Sequence, residues 1–325
     1  MIALASALVV ALTDSTYVAM RLNSAAERRV KAEYILKSAV NLARVLIKND
    51  STTHDDPTED LWMKFTEGAE VPGDYLGISE ANVKLQLQIT SESGKIPIRR
   101  LISATGDRVE DRYRGILVRL FKVLGFDEDS KEIDQTGLFQ GRHFKSDELV
   151  ANLIDYMDSN TENYSAPNFP QGLEADLPTD SPFRNEPIDS LASELSSVPG
   201  FTANRVQRLL PLLTTMNSPN ININAAPKEV LRALADEIDD KIAQSIVDFR
   251  SPANGGPFTA QNKVQELQRL LGSNDAAVTG ITDIKGSFFE VITKVDYGTS
   301  YFMARAILRS PGQDRLPEQR SLELF

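Results

Sequence analysis

The feature that most limits how this chain can fold is its start. Met1–Leu12 is apolar except for Ser6, and a continuous helical pattern follows to about Ile47. No Pro precedes Pro57 and no Gly precedes Gly68, so no helix breaker interrupts it. A spanning helix needs about 20 apolar residues, and this run ends at Thr13-Asp14. A secretory signal would carry a basic start and a small-residue cleavage site before an unrelated mature sequence. Here no Lys or Arg precedes the run and the helix continues. The expectation is therefore a retained anchor whose chain begins inside a longer hydrophobic segment. Beyond Arg21 the pattern turns amphipathic. Ile35, Ala39, Leu42 and Leu46 fall on one face, with Arg28, Lys31, Glu33, Lys37 and Arg44 largely elsewhere, so the second half is expected to seat on a domain.

The 325 residues leave room for two domains behind that helix, and the 41% hydrophobic fraction can fill their cores. The net charge of −11 argues against nucleic acid, whose binding draws on Lys and Arg set against phosphates. With no Cys, the chain has neither a disulfide nor a thiol for nucleophilic or metal chemistry. Its two histidines, His54 and His143, sit in polar loop-like stretches, and neither a G-x-S-x-G elbow nor a phosphate-cradling loop is present. No enzyme is expected.

Along the chain, Asn49–Glu59 reads as an acidic loop broken by Pro57, and Leu61–Phe65 supplies apolar side chains, including the only Trp, against the first helix. Val83–Thr90 alternates apolar and polar like a strand with one wet face. Ser91–Lys95 makes a turn, and Pro97 confines Ile96–Ile98 to an edge or irregular segment. Helices are expected at Tyr113–Leu124, capped by Gly125, and at Ser146–Met157, with Ser146 as N-cap. Asn160–Pro187 is a long loop with five prolines, unusual inside a compact domain unless something pins it. Further helices are expected at Leu191–Leu195, Ala203–Leu213, Pro227–Arg250 with a break around Asp236–Asp240, and Ala260–Leu271. Pro227 suits a first helical position. Phe288–Val295 and Tyr301–Leu308 read as strands joined by the loop Asp296–Ser300. A helical block between strand-forming flanks looks like an insertion into one α/β unit.

Several stretches, in order, resemble the K-type minor pseudopilins of bacterial type II secretion systems. Ile89–Ile102 is similar to that family's I-x-D-E-x-G-K-I-N-x-N-x-L, keeping Gly94, Lys95, Ile96 and Leu101 but with Ser91 and Glu92 at the acidic pair and Pro97 and Arg99 at the Asn positions. Leu153–Asn160 resembles L-x-D-W-x-D-x-D with Tyr156 for Trp and Asn160 for the last Asp, and Gly172-Leu173-Glu174 stands for G-A-E. Glu194–Gly200 matches E-L-x-x-V-x-G, and Ile221–Ala226 matches I-N-x-N-T-A with Ala225 for Thr.

The resemblance implies an α+β fold. A long pilin-like N-terminal helix packs on an antiparallel β-sheet that carries a large all-α insertion with helix-hairpin or SAM-like elements. The expected layout is the helix at 1–50, with its apolar membrane and assembly segment at 1–12, and the first part of the α/β domain at 51–106. The helical insertion follows at 107–280, and a β-hairpin at 281–325 completes the sheet. The resemblance also implies a structural, non-enzymatic role. The subunit would be held in the bacterial inner membrane by a single N-terminal anchor, with its bulk in the periplasm. It would cap and help initiate the pseudopilus tip with I- and J-type minor pseudopilins, reaching the major pseudopilin through them.

The loop after Leu153 is rich in hard oxygen donors of the kind Ca²⁺ gathers: Asp155, Asp158, Asn160, Glu162, Glu174, Asp176 and Asp180. An EF-hand does not fit, since Asn163 stands where the loop Gly is needed and Phe169 takes the twelfth position. A non-EF site and a merely solvated acidic loop both stay open on residues alone. The resemblance implies calcium in this insertion, at Asp155, Asp158, Asn160 and Glu174. Asn222–Phe258 is also similar to helix-hairpin-helix modules of DNA-uptake proteins, which makes DNA binding the alternative function. The phosphate-binding turn would fall at Ala235–Asp240, which has no Gly and four carboxylates and would repel phosphate.

Overall fold

The uninterrupted N-terminal pattern forms one helix of 47 residues, α1 (Ile2–Lys48). The computed structural model describes residues 2–50, 52–77, 83–139, 141–178, 182–296, 300–312 and 315–325; of 2–10, 76 and 273 it describes the backbone alone. The expected hairpin-loop residues Tyr297–Thr299 and the carboxylate of Asp180 lie outside the described residues. In chain order α1 is followed by strands β1 (Ala69–Val71), β2 (Lys84–Ser91) and β3 (Ile96–Pro97), then helices α2 (Asp111–Val123), α3 (Ser146–Met157), α4 (Leu191–Glu194) and α5 (Ala203–Leu209). Strands β4 (Leu213–Thr214) and β5 (Ile221–Asn222) precede α6 (Lys228–Ala233), α7 (Asp240–Phe249), α8 (Lys263–Leu271) and α9 (Asp275–Thr279). The chain ends with β6 (Thr282–Asp283), β7 (Phe288–Asp296), β8 (Tyr301–Arg309) and β9 (Glu318–Leu324). These elements divide between two compact units, one of Met1–Ser51, Glu59–Thr90 and Phe289–Phe325, the other of Thr52–Thr58 and Ser91–Phe288.

The smaller unit is a five-stranded sheet in the order β1-β2-β7-β8-β9 under the second half of α1. The pairs β1–β2 and β8–β9 are antiparallel. Strand alternation behaves as expected on β2, where Leu85, Leu87 and Ile89 are buried and Lys84 and Gln86 are exposed. They meet Phe289, Val291 and Val295 of β7 and Ala304, Ala306 and Leu308 of β8. The helix face differs from expectation. The buried line is Ala32, Leu36, Ala39, Val40, Ala43 and Ile47, while Ile35, Leu42 and Leu46 flank it half-buried. Of the expected stripe, Ala39 lies on the seam, while Ile35, Leu42 and Leu46 line its edge. Trp62 closes this core, edge-on to Phe289 at 4.9 Å, with its indole N–H donating to Asp50 Oδ2 at 3.1 Å. Two strands of this sheet escaped the sequence reading: β1 is short, and β9 is polar apart from Leu322, half-buried against the core opposite Ala306, and the exposed Leu324 opposite Ala304.

The larger unit is helical around one core, in which α3 is buried along its whole length from Leu149 to Met157. A helix apolar on most sides has to be enclosed by others, and α2 packs on both α3 and α6. Ser146 is not the N-cap. That place is Lys145, whose backbone N–H donates to Glu148 Oε2 at 2.9 Å, while the Ser146 N–H donates to Asp127 Oδ1 at 2.6 Å. Likewise Pro227 caps α6 from outside, α5 stops at Leu209, four residues short of Leu213, and α8 starts three residues after Ala260. Ile96, Ile98 and Leu101 belong to this unit's core, so its start lies at Ser91 where 107 was expected, and its end at Phe288 where 280 was expected. The chain's departure and return are pinned together: Ser93 Oγ accepts the N–H groups of Ser287 at 3.0 Å and Phe288 at 3.1 Å.

Candidate functional site

Three of the acidic residues singled out after Leu153, namely Asp155, Asp158 and Glu174, come together at the C-terminal end of α3. Asp155 lies on its last turn and Asp158 is its C-cap, a position where the helix dipole already presents negative charge. Both are buried, and so is Glu174, which opens a 3-10 turn in the following loop. Three carboxylates out of water at the negative end of a helix form a costly arrangement without a compensating cation.

Asp155 acts as the loop's clamp. Its Oδ1 accepts the Tyr164 N–H at 2.6 Å and its Oδ2 accepts the Glu174 N–H at 2.8 Å, which folds residues 159–174 back onto the helix. Gly172 is required there because a Cβ would stand 2.0 Å from Asp155 Oδ2. The proline-rich loop is thus ordered in part by the protein's own bonds. Others are Gly172 N–H to the Tyr164 carbonyl at 2.9 Å, Tyr164 edge-on to Phe169 at 5.9 Å, and Arg114 over the Phe169 ring at 4.8 Å.

Asp158 and Glu174 are different in kind. Asp158 Oδ1 and Glu174 Oε2 are buried and have no hydrogen-bond partner among the described residues. Burial, and then the charges of Asp155 and Glu174, push the Asp158 carboxyl up to about 7. Burial, with Asp155 adding to it, also raises Glu174, and burial raises Asp155 against the pull of its backbone donors. Asn160 reaches the site in another role than expected. Its side chain is exposed, its Oδ1 accepts the Glu162 N–H at 2.7 Å, and its backbone N–H and side-chain amide donate to Asp158. Glu162 and Asp176 are exposed. The sequence reading missed Asn185, whose amide Nδ2 donates to the Asn160 carbonyl and whose Oδ1 is buried with no partner among the described residues. Its one sequence signal is weak, a single Asn in Arg184–Pro187.

The remaining motifs are structural knots. Asn222 Oδ1 accepts the Asn224 N–H at 3.0 Å and its Nδ2 donates to Asp55. Asn224 bonds both the N–H and the carbonyl of Phe258 at 2.9 Å. Gly94 lies so close to Ala225 that a Cβ would come within 2.6 Å of its backbone carbon. Glu92 is buried between Lys95 and Thr214, and Glu194 Oε1 accepts the N–H groups of Asp189 at 3.0 Å and Ser190 at 2.8 Å. The helix-hairpin-helix turn between α6 and α7 offers phosphate little. Arg119 is spent on the carbonyls of Ala233 at 2.8 Å and Leu234 at 3.1 Å, Asp239 caps α7, and Asp236, Glu237, Asp239 and Asp240 are all exposed. Among the described residues no helix is long and apolar enough to cross a membrane.

Residues 221–282 match the family model described as type II secretion system (T2SS), protein K. No curated protein matches the chain by sequence. Among solved structures, the chain is similar to one in the GspK-GspI-GspJ complex from the enterotoxigenic Escherichia coli type 2 secretion system. That likeness has 15% identity and a TM-score of 0.67, and covers 93% of this chain and 99% of that one. At that identity it speaks for the fold, a long N-terminal helix on an antiparallel sheet with helices added. The matched segment is similar to protein K of type II secretion, and the matched fold is that of a chain in a GspK-GspI-GspJ complex.

Proposed function

We propose that this protein is a structural subunit that caps, and helps to initiate, the pseudopilus tip of a type II secretion system, in complex with I- and J-type minor pseudopilins. The observation that carries this reading is α1. Its second half is seated on the sheet, while Leu12, Tyr17, Val18, Met20 and Leu22 in the first half are exposed apolar side chains on a helix with no described partner there. Such a face suits an inner-membrane anchor before assembly and a bundle of pseudopilin helices afterwards, with the folded units in the periplasm. The similar solved chain comes from a GspK-GspI-GspJ complex. Co-expression with the I- and J-type proteins of the same secretion system, followed by purification with Ca²⁺ present, should yield a ternary complex. Absence of that complex would refute tip assembly.

The carboxylate site fits Ca²⁺ by the chemistry of its donors. All are hard oxygens, two of them are buried without a hydrogen bond, and their mutual repulsion is what a divalent ion relieves. Asp158 and Glu174 would ligate directly, with Asp155 beside them bracing the loop and Asn160 bracing Asp158. The expected signature is a rise in melting temperature on adding Ca²⁺ that vanishes in Asp158→Ala. An unchanged melting temperature in the natural sequence would remove calcium from the reading.

A further inference from the structure

Charge is distributed unevenly along the chain. α1 carries seven Lys and Arg against three Asp and Glu, whereas the whole chain has 35 against 46, so everything outside α1 is strongly acidic. The cations of α1 gather between its exposed apolar half and the start of its buried seam at Ala32, where Arg21, Arg28, Arg29 and Lys31 stand with Glu27 as the one carboxylate among them. Glu27 pairs with Lys31 at 3.2 Å and Glu33 with Arg29 at 3.7 Å. Exposed pairs of this kind contribute little, so both cations stay available to an anionic surface.

One end of the sheet lies at the same level. Arg44 Nε donates to the Pro317 carbonyl at 2.8 Å, which sets the start of β9 beside the C-terminal part of α1. From there the seven residues of β9 run about 23 Å, the rise of about 15 helical residues. The seam that the sheet covers extends back over the same length, from Ile47 to Ala32. The end of β9 therefore stands level with residues 29–32 of α1. There Leu324, Phe325 and Tyr301 are 41%, 64% and 77% exposed, and Phe325 is held in place by two backbone hydrogen bonds with Met303, at 2.8 and 3.1 Å. Aromatic side chains beside Lys and Arg, next to an apolar helix, are the composition of a protein surface at a bilayer boundary.

We propose that this rim, Arg28, Arg29 and Lys31 of α1 with Tyr301, Leu324 and Phe325 of the sheet end, is a docking surface for anionic phospholipid headgroups of the membrane that holds α1. The proposal rests on the anchor reading and adds to it that the smaller unit rests on the bilayer instead of standing off it on a helical stalk. The acidic remainder of the chain is repelled by an anionic surface, so the basic rim decides which end of this unit faces lipid.

Flotation of the full chain with phosphatidylcholine vesicles, with and without phosphatidylglycerol, tests this. The apolar half of α1 should bind both. The rim should add at least about ten-fold affinity for the anionic vesicles, lost at high salt and in the triple variant Arg28→Gln, Arg29→Gln, Lys31→Gln. In Tyr301→Trp a nitroxide carried on the lipid headgroup should quench the new indole, while Trp62, 1% exposed in the smaller core, gives the unquenched reference in the natural sequence and reports that the variants fold. No binding of the natural sequence to either vesicle would overturn the anchor reading and the rim with it. Equal binding to both vesicles, or an anionic preference that survives the triple variant, would overturn the rim alone. If the indole of Tyr301→Trp stays unquenched on vesicles and is shielded only when I- and J-type partners are added, the sheet end is a subunit interface and the proposal fails.

Discussion

Replacing Asn224 by Ala should be among the most damaging single changes in the larger unit. The side chain stands in for a stretch of sheet, accepting the Phe258 N–H at 2.9 Å and donating to the Phe258 carbonyl at 2.9 Å and the Ile284 carbonyl at 3.1 Å. Truncation does not strand all three groups. The Ile284 carbonyl keeps the Asp55 N–H at 2.9 Å, so the loss falls on the two Phe258 groups, at a residue buried to 0% exposure. Each buried group left unsatisfied costs about 1–3 kcal/mol, giving about 4 kcal/mol for the pair. Asn224→Asp should do no better, because it keeps an acceptor for the N–H but turns a carboxylate oxygen toward two carbonyls. In urea unfolding, Trp62 fluorescence reports the smaller core and α1 seated on it, so the part of the far-UV circular dichroism change that does not follow Trp62 reads the helices of the larger unit. A loss under about 1 kcal/mol in Asn224→Ala would refute the accounting, since it would mean that water or a backbone shift satisfies Phe258.

Asp158→Asn should raise the melting temperature in chelator, by removing one of three crowded buried charges, and abolish the further rise with Ca²⁺; a calcium-dependent rise that survives would contradict the site. Gly172→Ala should weaken calcium binding and cost about 1–3 kcal/mol, because its Cβ would meet Asp155 Oδ2 at 2.0 Å; titration and melting read the two effects. Leu36→Ala in the smaller core should cost about 2–5 kcal/mol, visible as an earlier Trp62 fluorescence transition. In an electrophoretic assay at low salt the protein should leave duplex DNA unshifted, given the exposed acidic turn before α7.

What the sequence made legible was what periodicity and special residues control. Val83–Thr90 announced β2 because one of its faces is wet, and the missing breakers announced α1. β9 carried no such signal, since an edge strand that sends only Leu322 toward the core looks polar. The α1 seam was read only in part: Ala39 is on it, but the buried line runs through Ala32, Leu36, Val40, Ala43 and Ile47, with the expected Ile35, Leu42 and Leu46 beside it. At the site, Asp155, Asp158 and Glu174 were legible as motif acids, and the structure brings them together. Their division of labour was not: only coordinates show that Asp155 spends its oxygens on N–H groups while Asp158 and Glu174 keep one each free. Asn185 was invisible because its part depends on a φ angle and on loop closure, neither of which a lone Asn encodes.

The pin between Ser93 and Ser287-Phe288 makes the helical unit modular. β2 and β7 are neighbours in the sheet although residues 92–287 lie between them in sequence. With departure and return fastened side by side, the sheet sees the excursion as it would see a tight hairpin turn. Loop-closure entropy grows only with the logarithm of length, so an insertion of this size adds little burden to strand pairing and can gain, lose or exchange helices without changing the register around it. The one thread to cut with it is Thr52–Thr58, where Asp55 takes the Gly286 N–H at 3.2 Å and the Asn222 amide.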